Sequence, residues 1–154
     1  PLQLANYIAT LSGGGDRYTT HLLKNVRESG TGALEYVYDA EPVQTIEMSE
    51  ENLSAVLAGM HDLATDGAVS SYFKDCIVDA AAKTGTVQTG DTKNNNGAFV
   101  CFAPYDDPQI AAAIVIEKGG TGVALASTAV QVLNAYFSNA SANTTVTGEN
   151  TLLG

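Results

Sequence analysis

Lys83-Thr84-Gly85-Thr86 places a cation, a hydroxyl, a glycine and a second hydroxyl in direct succession. Val78-Asp79-Ala80-Ala81-Ala82 runs into it, and the whole stretch reads as a β-strand. Side chains alternate between the two faces of a strand, so Lys83 and Gly85 share one face while Thr84 and Thr86 share the other. Gly85 removes bulk where a ligand or a second chain would approach the backbone. Such a surface suits a carboxylate-bearing acyl group: charge from lysine, hydroxyl donors from threonine, and backbone N–H groups along the strand. Gln88 lies two residues beyond Thr86, on the same face by alternation, and is a further candidate contact. Four residues of this kind also occur in ordinary strands, so the surroundings decide what they do.

Other reactive side chains are scattered. Cys76 and Cys101 are too few for a disulfide framework and lack metal-ligand spacing. Cys101 sits in the apolar run Phe99-Val100-Cys101-Phe102, which predicts a buried, inert thiol. Neither His21 nor His61 has a second histidine or cysteine at ligand spacing, so no metal site is expected, and nothing calls for a cofactor.

The chain that positions these residues has 154 amino acids, 45% of them hydrophobic and 16% charged, within the range of one domain with a real core. Its formal charge is −10, with seven lysines and arginines against 17 acidic residues. Such a surface repels a phosphate backbone, which argues against nucleic-acid binding. The sequence shows no signal peptide and no membrane-spanning run. In a fragment that says nothing about where the parent protein resides.

Leu2, Leu4, Ala5, Ile8, Ala9 and Leu11 follow helical periodicity, and Ser12 with Gly13-Gly14-Gly15 ends that helix. It opens directly on Pro1, with nothing upstream to cap it, as expected of a truncated domain. Residues 21–27 and 33–38 read as two strands around the turn Ser29-Gly30-Thr31-Gly32. Ser49 is an N-cap, and Glu50 and Glu51 suit the positive end of the next helix. Leu53, Val56, Leu57, Met60 and Ala64 form its apolar stripe, read as core. A short helix over residues 68–75 precedes the Lys83 strand. Gly90-Asp91-Thr92-Lys93-Asn94-Asn95-Asn96-Gly97 is a polar loop. Ile110–Ile116 is apolar on both faces, so it is expected to be central and covered on both sides. Gly119-Gly120-Thr121-Gly122 leads into a helix reaching about Asn139, lying across one face of the sheet. The fold class is α/β of the α+β type: a three-stranded antiparallel meander, residues 78–88, 98–104 and 109–117, with helices packed on it.

In this setting the sequence resembles a known family. Pro1-Leu2-Gln3-Leu4-Ala5-Asn6-Tyr7 with the glycine run is similar to the P-L-Q-L-A-x-x-Y segment of class B penicillin-binding proteins. Gly59-Met60, Lys83-Thr84-Gly85-Thr86-Val87-Gln88, Phe99-Val100-Cys101-Phe102-Ala103-Pro104 and the Pro108–Glu117 strand fit the same family. The resemblance covers nearly the whole chain to about Phe137. It implies a partial transpeptidase fold shared with serine β-lactamases, in residues 1–138, followed by a flexible tail over 139–154.

Three motifs carry acyl transfer in that family, S-x-x-K, S-x-N and K-T-G, in that order. Only the third stands in its place here. Ser71-Tyr72-Phe73-Lys74 fits S-x-x-K but lies nine residues before Lys83, with no room for S-x-N between them, and is read as part of a surface helix. Ser141-Ala142-Asn143 fits S-x-N but follows K-T-G and is set aside. The resemblance therefore implies the C-terminal half of a peptidoglycan D,D-transpeptidase, with nucleophile, general-base lysine and S-x-N hydroxyl before Pro1. It implies that Lys83 supplies positive potential and that the Thr84 and Thr86 hydroxyls hold a terminal carboxylate. The Thr86 backbone N–H would be one of two oxyanion donors. The partners implied are D-Ala–D-Ala stem peptides and β-lactams, with a membrane-anchored parent on the extracytoplasmic face. The first strands of the family's sheet would be missing, leaving the Ile110–Ile116 edge open to self-association. Alone, this chain is expected not to turn over substrate. The alternatives are a class D β-lactamase or β-lactam-sensor fragment, or a non-catalytic module on the same scaffold. The Asn-rich 91–97 loop departs from the aromatic or histidine-containing run frequent in the family and leaves the cleft wall undefined. The N-x-S/T triplets at Asn52, Asn139 and Asn143 carry no meaning in a bacterial protein.

Overall fold

The computed structural model describes residues 1–90 and 95–145, with side chains through Asn139. The Asp91–Asn94 part of the polar loop, the Ser141 and Asn143 side chains and residues 146–154 lie outside the described residues. In chain order the elements are α1 (Leu2–Ser12), β1 (Asp16–Tyr18), β2 (Asn25–Arg27), β3 (Leu34–Val37), β4 (Pro42–Thr45) and α2 (Glu50–Thr65). There follow α3 (Ser70–Phe73), β5 (Ala81–Val87), β6 (Asn96–Ala103), β7 (Ile110–Ile116), a 3-10 turn (Gly122–Leu125) and α4 (Ala126–Thr145). The expected mixed helix-and-sheet class with an antiparallel meander is the fold observed.

The expected stop and start signals operate. Gly14 and Gly15 both take positive φ, 75° and 107°, where a side chain is strained, and the chain leaves α1 there. Ser49 Oγ accepts from the Asn52 N–H at 3.3 Å, satisfying one of the orphan donors at the start of α2. Ile8 and Leu11 of α1 and Met60 and Ala64 of α2 are buried. Val56, read as core, is instead 48% exposed, and Leu2 and Leu4 of the periodic run are 64% and 38% exposed. Each lies at the margin of its helix's apolar stripe, beyond the residues the sheet can cover.

The three long strands pair antiparallel in the order β5-β6-β7. Hydropathy alone puts Ile110–Ile116 at the centre; here β6 is central, and β7 has among the described residues no strand on its other side, the open edge that the resemblance implies. From Phe99 to Ala103 every residue of β6 is buried, whereas Val115 and Ile116 of β7 are 37% and 44% exposed. The apolar run on β7 is covered on both faces, as expected. Ala112, Ile110 and Ile114 pack on one side and Ala111 and Ala113 on the other. Apolarity reports what lies above and below a strand; pairing alone decides what lies beside it.

Two clusters sandwich the sheet. On one face Ala82, Phe99 and Cys101 meet Leu125, Ala126, Ala129 and Leu133, so α4 lies across that face as expected and continues past Asn139 to Thr145. On the other face Ala81, Val100 and Phe102 meet Ile8 and Leu11 of α1 and Met60 of α2. Alanine on the strands lets the helices approach closely at native packing density.

Residues 16–46 form a separate excursion. The expected hairpin is β2 with β3, shorter than read. The sequence reading missed β1 and β4, which pair with each other and are held by Thr45 Oγ1 donating to Asp16 Oδ1 at 2.6 Å and Arg17 Nε donating to Gln44 Oε1 at 3.1 Å. Strands of three and four residues are too short for period-two alternation to register.

Candidate functional site

The candidate site is the strand β5, which has one edge paired with β6 and, among the described residues, the other unpaired. Its first half is sealed: Ala81 and Ala82 are buried. Its second half emerges, with Lys83 and Thr86 exposed and Thr84 and Gly85 half-buried. Ala81 shares a core cluster with Met60 of α2, and Ala82 shares one with Ala126 and Ala129 of α4.

Register divides the motif between the two faces as alternation requires. Thr84 opposes Phe99 and Thr86 opposes Gly97, on the α4 side, while Lys83 opposes Val100 and Gly85 opposes Ala98, on the α1 side. On the α1 side a shallow groove of about 190 Å³ runs between Leu4 and Tyr7 and the strand at Lys83, Thr84 and Gly85. Its lining is largely apolar, so it could seat an aliphatic part of a ligand beside the strand.

Two observations orient the strand's backbone groups. The Lys83 ammonium donates to the Thr84 carbonyl at 2.6 Å, so that carbonyl is reachable from outside the ladder. A point beside Gly122 lies 2.5 Å from Gly85 O and 2.7 Å from Gly85 N and also touches Ala98 O, so the Gly85 and Ala98 amide groups are gathered together. Both fit an antiparallel ladder in which Gly85 bonds inward to Ala98 and its neighbours point outward. Alternation then aims the N–H groups of Thr84 and Thr86 at the open edge. A peptide laid along this edge would meet backbone donors, two hydroxyls and one ammonium.

The Thr86 hydroxyl has a partner behind the strand: the Gly122 N–H donates to Thr86 Oγ1 at 3.4 Å. Gly97 makes room for that turn, since a Cβ there would lie 3.2 Å from the Thr121 carbonyl. Neither Gly97 nor Gly122 stood out in the sequence as a site residue. The only signal was the glycine-rich run 119–122, which reads equally well as a helix leader. Gln88 lies just past the last residue of β5 and is exposed, so strand alternation no longer fixes its face.

Ser71 and Lys74 are not brought to this strand end. Ser71 is exposed on α3, and Lys74 lines a cavity of about 180 Å³ with Asp79 and Ala80, before β5 begins. From Ala81 to Thr86 is five residue rises, roughly 17 Å of strand. The surface-helix reading of Ser71 fits that placement.

The remaining candidates take structural positions. His61 Nε2 lies 2.9 Å from Asp79 Oδ2, and its ring stacks on Tyr105 at 4.1 Å between centroids. Asp79 also accepts the Ala80 N–H and, through its backbone carbonyl, the Tyr105 N–H, so this group ties α2 to the entry of β5. His21 stacks on Tyr38 at 3.6 Å. Cys101 is fully buried, and burial, with a smaller contribution from nearby Cys76, pushes its thiol up to about 12. Burial also raises the Cys76 thiol. Among the described residues no group of three or more His, Cys, Asp or Glu could hold a metal ion.

Comparison with known proteins gives this geometry a context. Residues 1–138 match the family model described as the penicillin binding protein transpeptidase domain. Penicillin-binding protein 2A of Bacillus subtilis is 33% identical over 129 residues, which is 75% of this chain and 18% of the relative. Peptidoglycan D,D-transpeptidase MrdA of Escherichia coli is 28% identical, over 87% of this chain and 23% of the relative. Among solved structures, Pseudomonas aeruginosa PBP2 in complex with WCK 5153 superposes with a TM-score of 0.70 at 29% identity, covering 88% of this chain and 30% of that one. The chain thus spans about a fifth of the length of these two curated relatives.

Proposed function

This chain belongs to the penicillin-binding protein transpeptidase-domain family, and from that premise we propose that it supplies the carboxylate-binding wall of a peptidoglycan D,D-transpeptidase. The observation that carries the reading is the open edge of β5, with Lys83, Thr84 and Thr86 at its exposed end. The serine nucleophile, its lysine and the S-x-N hydroxyl belong to the part of the protein outside this chain.

In the intact protein the serine attacks the carbonyl of a D-Ala–D-Ala stem peptide. The terminal D-Ala leaves, and the acyl group passes from the serine ester to an amine of a neighbouring stem. A β-lactam opens its ring on the same serine and stays as the ester. The proposed share of β5 in these steps is electrostatic. The Lys83 ammonium raises the potential around the substrate's carboxylate, and the Thr84 and Thr86 hydroxyls donate to it. The Thr86 N–H is one of two donors to the developing oxyanion, the nucleophile's own N–H being the other. One such donor is worth about 10²–10³ in rate where it has been removed elsewhere.

Residues 1–138 are assigned to this domain portion, and α4 runs on from it to Thr145. The whole protein would act at the extracytoplasmic face of the membrane, held there by a part outside this chain. Among the described residues no helix is long and apolar enough to cross a bilayer. The open β7 edge is the proposed route of self-association when this chain is isolated.

The test is acylation of the intact protein by a fluorescent penicillin, followed as a second-order rate constant. Lys83→Ala and Thr86→Val are expected to slow acylation by tenfold or more, roughly the worth of one charge-assisted hydrogen bond. Acylation at the unmutated rate in both variants would remove β5 from the binding site.

A further inference from the structure

The 3-10 turn behind β5 makes two contacts that the sequence motif does not foretell. Gly122 sits so close to the sheet that a Cβ there would lie 2.5 Å from Gly85 O and 2.7 Å from Gly85 N, with Ala98 O also in contact. All three are backbone atoms, which cannot swing aside as a side chain would. The Gly122 N–H donates to Thr86 Oγ1 at 3.4 Å, across the space left by Gly97, the residue opposite Thr86. The Gly97 position is itself closed from behind, its missing Cβ lying 3.2 Å from Thr121 O and 3.4 Å from Leu125 Cδ1.

From these contacts we infer that Gly122 is a positioning residue that sets the polarity of the Thr86 hydroxyl and thereby selects for a ligand with a free carboxylate. A threonine hydroxyl has one proton to give and two lone pairs to receive. With a lone pair engaged by the Gly122 N–H, the hydroxyl proton points away from the turn, toward the exposed end of β5. A carboxylate accepts that proton; an ester accepts it weakly and offers no charge to Lys83. Gly122 also fixes how far the strand sits from the turn, because any side chain at 122 must push Gly85 and Ala98 outward. The inference rests on the reading of β5 as the carboxylate wall.

The experiment compares acylation of the intact protein by a penicillin and by the methyl ester of the same penicillin. The unmutated protein is expected to favour the acid. Gly122→Ala is expected to cut that preference about tenfold, mainly by slowing reaction with the acid. Gly59→Ala, in α2 where a Cβ meets nothing within 4 Å, is expected to leave the preference as it was. Equal slowing of acid and ester in Gly122→Ala, or an equal loss of preference in Gly59→Ala, overturns the inference and leaves the function reading intact. If Gly122→Ala does not fold, Thr86→Val carries the test through hydrogen exchange. The amide in the segment spanning Gly122 is expected to exchange several-fold faster in that variant, and unchanged exchange overturns the inference. If the unmutated intact protein reacts with neither compound, the function reading itself fails and the inference goes with it.

Discussion

The β5 edge and the β7 edge bound the same three strands, yet their chemistry differs. The exposed end of β5 carries lysine, two threonines, a glycine and a valine; β7 carries three alanines, three isoleucines and a valine. Both hang on β6, which is buried from Phe99 to Ala103. A polar edge with hydroxyls and a cation can stay in water and take up a ligand and release it. An apolar edge with unpaired backbone groups is a template for another strand. The difference teaches that one edge suits transient contact and the other a lasting neighbour.

The comparison breaks most visibly if the shared strand fails. Phe99 is 1% exposed and packs against Phe73 at 6.3 Å between ring centroids, so Phe99→Ala is expected to destabilise the fold by about 3–5 kcal/mol. Both edges should lose protection together in hydrogen exchange during a denaturant titration. Loss confined to β5 would make the two edges separate units.

The apolar edge is sharpened by a single charge. Val115 is 37% exposed on β7, and Val115→Lys is expected to weaken self-association of the isolated chain about tenfold, read by light scattering across a concentration series. A clean monomer for the unmutated chain at high concentration would contradict the contrast between the edges.

A smaller effect reports on β6 through pH. The Cys101 thiol is raised from 9.0 to about 12 by burial, so the folded state holds its proton where the unfolded chain has released it. Its contribution is whole below about pH 9 and is lost as pH climbs toward 12. Urea midpoints should therefore fall between about pH 8 and pH 10.5, and Cys101→Ala should show a shallower fall. Equal slopes would mean that the centre of the sheet admits water.

Much of this was legible in the sequence, for reasons tied to particular residues. Ser49 and Glu50–Glu51 announce α2 because capping is local chemistry. The Phe99–Ala103 run announces a buried strand because no other environment tolerates it. The K-T-G face assignment follows from strand period alone. Strand order does not: hydropathy reports that Ile110–Ile116 is covered on both faces, and not which strands lie beside it. The role of Gly97 and Gly122 was hidden as well. Their contacts join residues 97, 121, 122 and 125 to residues 85, 86 and 98, an encounter that only the folded sheet creates.

The central claim is that this chain carries a binding wall without its nucleophile. It is tested most directly by exposing the isolated 154-residue chain and the intact protein to fluorescent penicillin side by side. The account predicts a stoichiometric, hydroxylamine-sensitive label on the intact protein, weakened by Thr86→Val, and none on the isolated chain. Stoichiometric labelling of the isolated chain that disappears in Ser71→Ala would contradict it.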